Sequence, residues 1–231
     1  MSKTVDAIKN ANLIVIGRLV DASNATLQAT LENSEPAKKV IYKPVLGERP
    51  LWDFADGNLA NREYAAFLLS HLAEFDLVPT TVLREGPFGF GMVQEWVEID
   101  DNLDIVQFGQ GDDPQLRKLA LFDAVINNTD RKFGHLLVDK TGKLRGCDHG
   151  VCFHQENKLR TVLWQFAGEP FNIEEFELLN KVNKLDLNFL FGDLLTNPEI
   201  SALKQRNLDL IEAGKFPFPN DEWPAIPWPP V

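Results

Sequence analysis

Residues 121–150, LFDAVINNTDRKFGHLLVDKTGKLRGCDHG, decide how the rest of the 231-residue chain is read. The stretch opens on the back half of an apolar helix and enters a polar turn, Asn127-Asn128-Thr129-Asp130-Arg131-Lys132. An apolar run, Leu136-Leu137-Val138, comes next, then the hairpin turn Lys140-Thr141-Gly142-Lys143, and the stretch closes on Cys147-Asp148-His149-Gly150. Strand pairing across such a turn brings distant chain positions together. The spacing therefore predicts that Asp130 and Asp148 meet at the two ends of a β-hairpin. Taken alone, Asp130 would merely cap its own turn, where Asn, Thr and Asp are favoured anyway, and Arg131-Lys132 would be a solvated basic spot. With Asp148 one hairpin away, a site built from two acids is the better reading.

Upstream of this stretch the chain reads as strands and one helix. Residues 13–18 (LIVIGR), 26–32 (TLQATLE) and 40–44 (VIYKP) have strand character, and Lys43 stands alone in an apolar setting. The small polar turn between the first two strands could place backbone N–H groups over a polyphosphate, although it lacks repeated glycines. A Pro-, Gly- and Asp-rich loop leads to Asn61, which can cap a helix over 62–75. Glu63 falls over the helix's inward stripe of Phe67, Leu68, Leu72 and Phe75. A first-turn glutamate is ordinary on dipole grounds, so Glu63 gains meaning only from its pairing with Lys43. Strands over 78–83 and 91–97 complete a five-strand region.

Downstream, Pro114 starts a helix that carries Asp123 on its inner side. A buried Asp123 needs a polar partner, expected to be backbone near the Asp130 loop. His149 and His154 read as core histidines. Amphipathic stretches over 173–182 and 185–195 and a last helix near 199–213 follow. Residues 216–231, FPFPNDEWPAIPWPPV, hold too much proline for a helix or central strand. Their aromatic content predicts a segment docked in extended form on the body.

Composition sets outer limits. Hydrophobic residues make up 44% and charged residues 25%, a globular balance. Net charge is −11, which argues against broad attraction to nucleic acid or anionic membrane. No stretch approaches the roughly 20 apolar residues of a membrane span, and the first residues lack a signal pattern. Two cysteines, Cys147 and Cys152, are too few for a disulfide framework. The expected compartment is the cytoplasm.

Together, Ser23-Asn24-Ala25-Thr26, Tyr42-Lys43-Pro44, Arg62-Glu63, residues 128–135 (NTDRKFGH) and Asp148-His149-Gly150 resemble the phosphatidylinositol 3- and 4-kinase type of kinase-like fold. They look closest to a little-characterised bacterial family of that type, and the catalytic segment is similar to that of toxin-type bacterial serine kinases. The resemblance implies an α+β, bilobal, protein-kinase-like fold, with an antiparallel N-lobe over 1–97 and a mainly helical C-lobe over 98–231. Ser23, Asn24, Ala25 and Thr26 would cover the phosphates of ATP, and Lys43 would contact them while pairing with Glu63. Gln94, Glu95, Trp96 and Val97 would form a hinge whose main chain meets adenine. Asp130 would act on the acceptor hydroxyl, and Asp148 would hold Mg²⁺ or Mn²⁺. Kinases of this type usually bind a second Mg²⁺ through an Asn where this chain has His135. Imidazole suits manganese or zinc better than magnesium.

The implied activity is ATP-dependent phosphoryl transfer to a protein or small soluble acceptor, without nucleic-acid or membrane partners. Three other readings use the same residues. One is a nucleotide-binding pseudokinase, and one is transfer of the AMP group. The last is a dinuclear phosphoesterase built on Asp130, His135, Asp148, His149 and His154.

Overall fold

The computed structural model describes residues 3–19, 24–32, 38–54 and 56–231. Strands β1 (Leu13–Arg18), β2 (Leu27–Leu31), β3 (Lys39–Pro44), β4 (Thr81–Gly86) and β5 (Gly89–Glu95) form one antiparallel sheet in the order β1-β2-β3-β5-β4. Alternation along these strands gives the sheet two different faces. Leu13, Ala29, Leu31, Val40, Tyr42, Val82 and Val93 pack on one side with Ile8 of helix α1 (Lys3–Asn10). The sequence pattern does not predict α1, which is short and carries only a narrow apolar stripe. Its last carbonyls are satisfied from outside, because the Arg84 guanidinium donates to Ile8 O and Ala11 O, each at 2.7 Å.

The opposite face carries Lys43. Gly91 lies across from Pro44 in the β3–β5 register, and a Cβ there would stand 2.3 Å from the Lys43 carbonyl oxygen. Glycine is thus required for β5 to approach β3 closely enough to fix the lysine's backbone. Helix α2 (Leu59–Leu72) begins earlier than expected, and the cap is Asn58, whose side chain accepts from Asn61 N–H at 2.7 Å. The Glu48 carboxylate accepts from Leu59 and Ala60 N–H, each at 2.9 Å, so a second side chain serves the same helix start.

The remainder is mainly helical. It holds α3 (Ile105–Gly109), α4 (Pro114–Ile126), α5 (Ile173–Lys184), α6 (Leu187–Phe191) and α7 (Asn197–Ala213), with a small hairpin of β6 (Leu136–Val138) and β7 (Leu144–Gly146). A larger core joins α4, α5, α6 and α7 to α2, with Leu69, Leu116, Leu119, Phe122, Leu179 and Leu203 all buried. Helix α4 ends at Asn127, which takes the left-handed conformation at φ 53° that asparagine tolerates. No helix among the described residues is long and apolar enough to cross a membrane.

Candidate active site

The hairpin does what its sequence predicts, bringing the polar turn after α4 to the segment after β7. The lysine of β3 lies between two acids. Lys43 Nζ is 2.6 Å from Glu63 Oε1 and 2.7 Å from Asp148 Oδ1. Glu63 is buried and also accepts from the His149 N–H at 2.9 Å, which ties α2 to the Asp148 segment. Burial pulls the Lys43 ammonium down, but Asp148 and Glu63 outweigh it and hold the group above its usual range. Lys43 holds the Asp148 carboxyl well below the usual carboxylate range, whereas burial pushes the Glu63 carboxyl up against the pull of Lys43. The Asp148 side chain nevertheless remains 48% exposed. Its backbone sits at φ 60°, a region that L-residues other than Asn and Asp seldom visit. Such conformations concentrate at functional sites, where the surroundings over-determine them.

Asp130 stands apart from this triad. Its N–H donates to Asn128 Oδ1 at 3.0 Å, and its carboxylate lies 3.3 Å from Lys132 Nζ. Burial raises its pKa against the opposing charge of Lys132. His135 Nε2 lies 3.5 Å from Asp148 Oδ2. Burial lowers the ring's pKa to about 4, so it is neutral at physiological pH and able to accept or to ligate. Cys147, beside Asp148, is pushed up to about 12 by burial and stays a thiol.

Beneath these groups lies a buried polar layer. The Arg131 guanidinium donates to Asp123 through Nε at 2.9 Å and Nη2 at 2.8 Å, and both side chains are wholly buried. Arg131 also donates to the Cys147 carbonyl at 2.9 Å, and Asn128 Nδ2 donates to Asp123 at 2.9 Å. Arg131 Nη2 lies 2.7 Å from His149 Nε2, and since arginine only donates, Nε2 is the accepting nitrogen. One guanidinium thus joins α4, the Asp130 loop and the Asp148 segment. The solvated basic spot expected at Arg131 is corrected, and only Lys132 of that pair stays near the surface. Asp123 does find its partner at the Asp130 loop, chiefly through side chains.

The turn expected to cover phosphates is only partly described, and Ser23 lies outside the described residues. Ala25 N–H donates to the Gly47 carbonyl at 3.2 Å, and Thr26 N–H to the Asn24 carbonyl at 2.8 Å. Asn24 Oδ1 accepts from Arg49 N–H at 2.9 Å. These amides are therefore bonded within the protein, although Asn24 and Ala25 do line a small cavity together with Lys43, Glu63 and Asp148. In the expected hinge, Gln94 is buried and donates to Thr81 Oγ1 at 2.9 Å. Glu95 N–H donates to Thr80 and Trp96 N–H to Lys39, leaving the Val97 N–H without an acceptor among the described residues. A larger cavity of about 660 Å³ touches the hinge and the hairpin turn, lined in part by Phe67, Trp96 and Arg145, but none of the three ionic groups above. Size alone is a poor guide to chemistry here, because it is the smaller cavity that Lys43, Glu63 and Asp148 line.

The dinuclear phosphoesterase set does not converge. His149 faces Arg131 in the core, and His154 packs edge-on against Phe54 at 5.3 Å between ring centroids. Among the described residues no three His, Cys, Asp or Glu side chains are grouped to hold a metal.

No family model matches the chain. Protein Rv2133c of Mycobacterium tuberculosis is 39% identical to it over 264 aligned positions, taking in 96% of this chain and 93% of that protein. The chain belongs to the Rv2133c family. A shorter likeness links this member to phosphatidylinositol 4-kinase gamma 4 of Oryza sativa subsp. japonica, 31% identical over 142 residues and covering 51% of this chain and 25% of the plant protein. Phosphatidylinositol 4-kinase gamma 3 of Arabidopsis thaliana is 30% identical over 77 residues, covering 30% and 13% respectively. Among solved structures, the golgi casein kinase superposes with a TM-score of 0.52 at 12% identity, over 91% of this chain and 73% of that one. The fold of this Rv2133c-family chain is kinase-like.

Proposed function

We propose that this chain is an ATP-dependent phosphotransferase whose sheet and helical lobes, meeting near Val97, close over the nucleotide. The observation that carries the reading is Lys43 held between Glu63 and Asp148. The kinase-like fold and the stretch shared with plant phosphatidylinositol 4-kinases support it. A lysine fixed by a buried glutamate keeps its charge and its aim, which is what binding the inner phosphates of ATP requires. Ile14 and Ile16 of β1 are more than half exposed, apolar residues available to a flat base. The free Val97 N–H suits a base nitrogen.

Asp148 and His135 would hold a divalent ion. The half-exposed Asp148 carboxylate is the accessible oxygen donor, and one or two carboxylates plus substrate phosphates is what Mg²⁺ normally takes. The neutral His135 nitrogen beside it favours Mn²⁺. Such an ion supplies charge neutralisation on the phosphates and a template for their orientation. Asp130 would orient the acceptor hydroxyl and accept its proton. Its raised pKa suits a base better than an ordinary aspartate would. Net charge of −11 disfavours an anionic membrane surface as the place of action, so the acceptor is read as a protein or small soluble molecule.

The test is release of ADP and transfer of label from γ-labelled ATP by the wild-type chain and Asp130→Asn. Transfer by the wild type and its loss in the variant support the reading, whereas label moving only from α-labelled ATP replaces it with nucleotidyl transfer. Binding with no transfer of either label would mark a nucleotide-binding pseudokinase.

A further inference from the structure

We propose that the acceptor carries a phosphate monoester beside its reacting hydroxyl, and that Arg160 is the residue that binds it. The inference rests on the reading of Asp130 given above. Residues 128–131 and 160–162 run as paired extended segments. Arg160 N–H donates to Asn128 at 2.9 Å, Arg131 N–H to Arg160 at 3.1 Å, and Val162 N–H to Arg131 at 3.1 Å. Arg131 and Thr161 face each other across this pairing and are buried at 0% and 3% exposure. Side chains alternate along extended backbone, so Asp130 and Arg160 point the other way, out of the core and onto one face. Arg160 is accordingly among the charges that act on Asp130.

Three other buried or half-buried arginines have carboxylate partners, while Arg206 donates to the Val125 and His154 carbonyls instead. Arg62 pairs with Glu199, Arg117 with Glu169 and Glu175, and Arg131 with Asp123. Arg160 makes no such ion pair among the described residues, and its Nε is buried with no hydrogen-bond partner. The two Nη nitrogens of Arg160 make no hydrogen bond or ion pair among the described residues and are not buried, so they are the donors open to an anion. A guanidinium fork gives two parallel bonds to one phosphate, whose remaining oxygen is free for the Lys132 ammonium next to Asp130.

The backbone beside Arg160 is tied to the proline-rich segment. The next residue, Thr161, donates its N–H to the Ala225 carbonyl at 3.0 Å, and Trp164 Nε1 donates to the same oxygen at 2.8 Å. Phe133 N–H donates to Pro230 at 2.9 Å. The proline-rich segment therefore borders both paired segments, through Ala225 on one and Pro230 on the other.

The experiment titrates glycerol 3-phosphate, and glycerol as its uncharged counterpart, into the full chain by calorimetry, alongside Arg160→Gln, Arg160→Lys and Lys43→Met. Binding of glycerol 3-phosphate but not glycerol is expected, weakened on the order of tenfold or more in Arg160→Gln. Arg160→Lys, which keeps the charge without the fork, should fall between the two, and unchanged thermal midpoints show that the variants fold. Lys43→Met should bind as the wild type does, which separates this site from the nucleotide site even if ATP does not bind. Equal affinity in Arg160→Gln, equal binding of glycerol, no binding to the wild type, or loss confined to Lys43→Met would each overturn the proposal. Vesicles of phosphatidylcholine with phosphatidic acid form a second arm. Retention of the wild type but not Arg160→Gln would assign the phosphate to a lipid headgroup, and no retention would assign it to a soluble compound.

Discussion

Two ionic clusters meet at the segment Cys147-Asp148-His149, and they are built to opposite ends. Asp123 and Arg131 are both wholly buried and joined by two hydrogen bonds, with Asn128, the Cys147 carbonyl and His149 taking up the remaining capacity. Lys43, Glu63 and Asp148 share one cation between two anions, and the Asp148 side chain is 48% exposed. The charged groups of the first cluster are engaged with one another, and its unpartnered His149 Nδ1 is buried away from solvent. The second has an anion in excess and an open side. Saturated charges hold the loops, and unsaturated ones are available for chemistry.

Breaking the first cluster should have the largest effect on folding. Arg131→Met leaves the Asp123 carboxylate buried without its partner, which should cost about 3–5 kcal/mol. Denaturant unfolding would show it, and a loss within the error of the measurement would mean that the layer is not structural. Next in size is Asp130→Asn, which should keep ATP affinity while lowering transfer by roughly 10²–10⁴-fold. The same substitution should stabilise the protein at neutral pH. The folded Asp130 pKa is raised by burial, so the native state binds the proton more tightly than the unfolded chain does. Wild-type stability is therefore lost as pH rises through the folded pKa, and the advantage of Asp130→Asn should vanish below the ordinary carboxylate range. A pH series of melting temperatures on both proteins checks the sign.

His135 runs the other way. Its pKa drops from 6.5 to about 4 on folding, so its contribution is complete above 6.5 and is lost as pH falls toward about 4. His135→Asn should remove that part of the acid sensitivity and shift metal preference from Mn²⁺ toward Mg²⁺. An unchanged Mn²⁺ to Mg²⁺ activity ratio would take His135 out of the metal site. The smallest effect on stability is expected for Asp148→Asn. Its side chain is half exposed, so unfolding free energy should change by no more than about 1 kcal/mol. A much larger loss would show that the two clusters are not as different as their burial suggests.

The legible part of this molecule is the part governed by local periodicity and turn chemistry. Residues 13–18 form a strand with the bounds expected of them, Pro114 opens a helix, and the Lys-Thr-Gly-Lys turn closes a hairpin. Lys43 and Glu63 can be paired on sequence because a strand lysine followed by an inward helix glutamate is the ion pair that the kinase resemblance implies. Helix α2 starts earlier than expected because Asn58, Asn61 and Glu48 compete to cap it, and only the tertiary position of Glu48 decides between them. Arg131 stands in a polar turn and Arg160 in the apolar run 159–164, contexts that suggest the reverse of the burial observed. Which of the two is buried against an acid depends on the alternation of paired segments far apart in the chain. Helix α1 escapes the sequence pattern because its stability comes from the sheet face beneath it and from Arg84, neither of which is local.

The account turns on the exposed cluster being a nucleotide site. Calorimetric titration of ATP into the pure protein, with Mg²⁺, with Mn²⁺ and with neither, tests this most directly when repeated on Asp148→Asn. The expected result is metal-dependent binding that the variant abolishes while its fold and unfolding free energy stay close to the wild type. Binding of ATP that neither needs a metal nor changes in Asp148→Asn, or no binding under any of the three conditions, would contradict it.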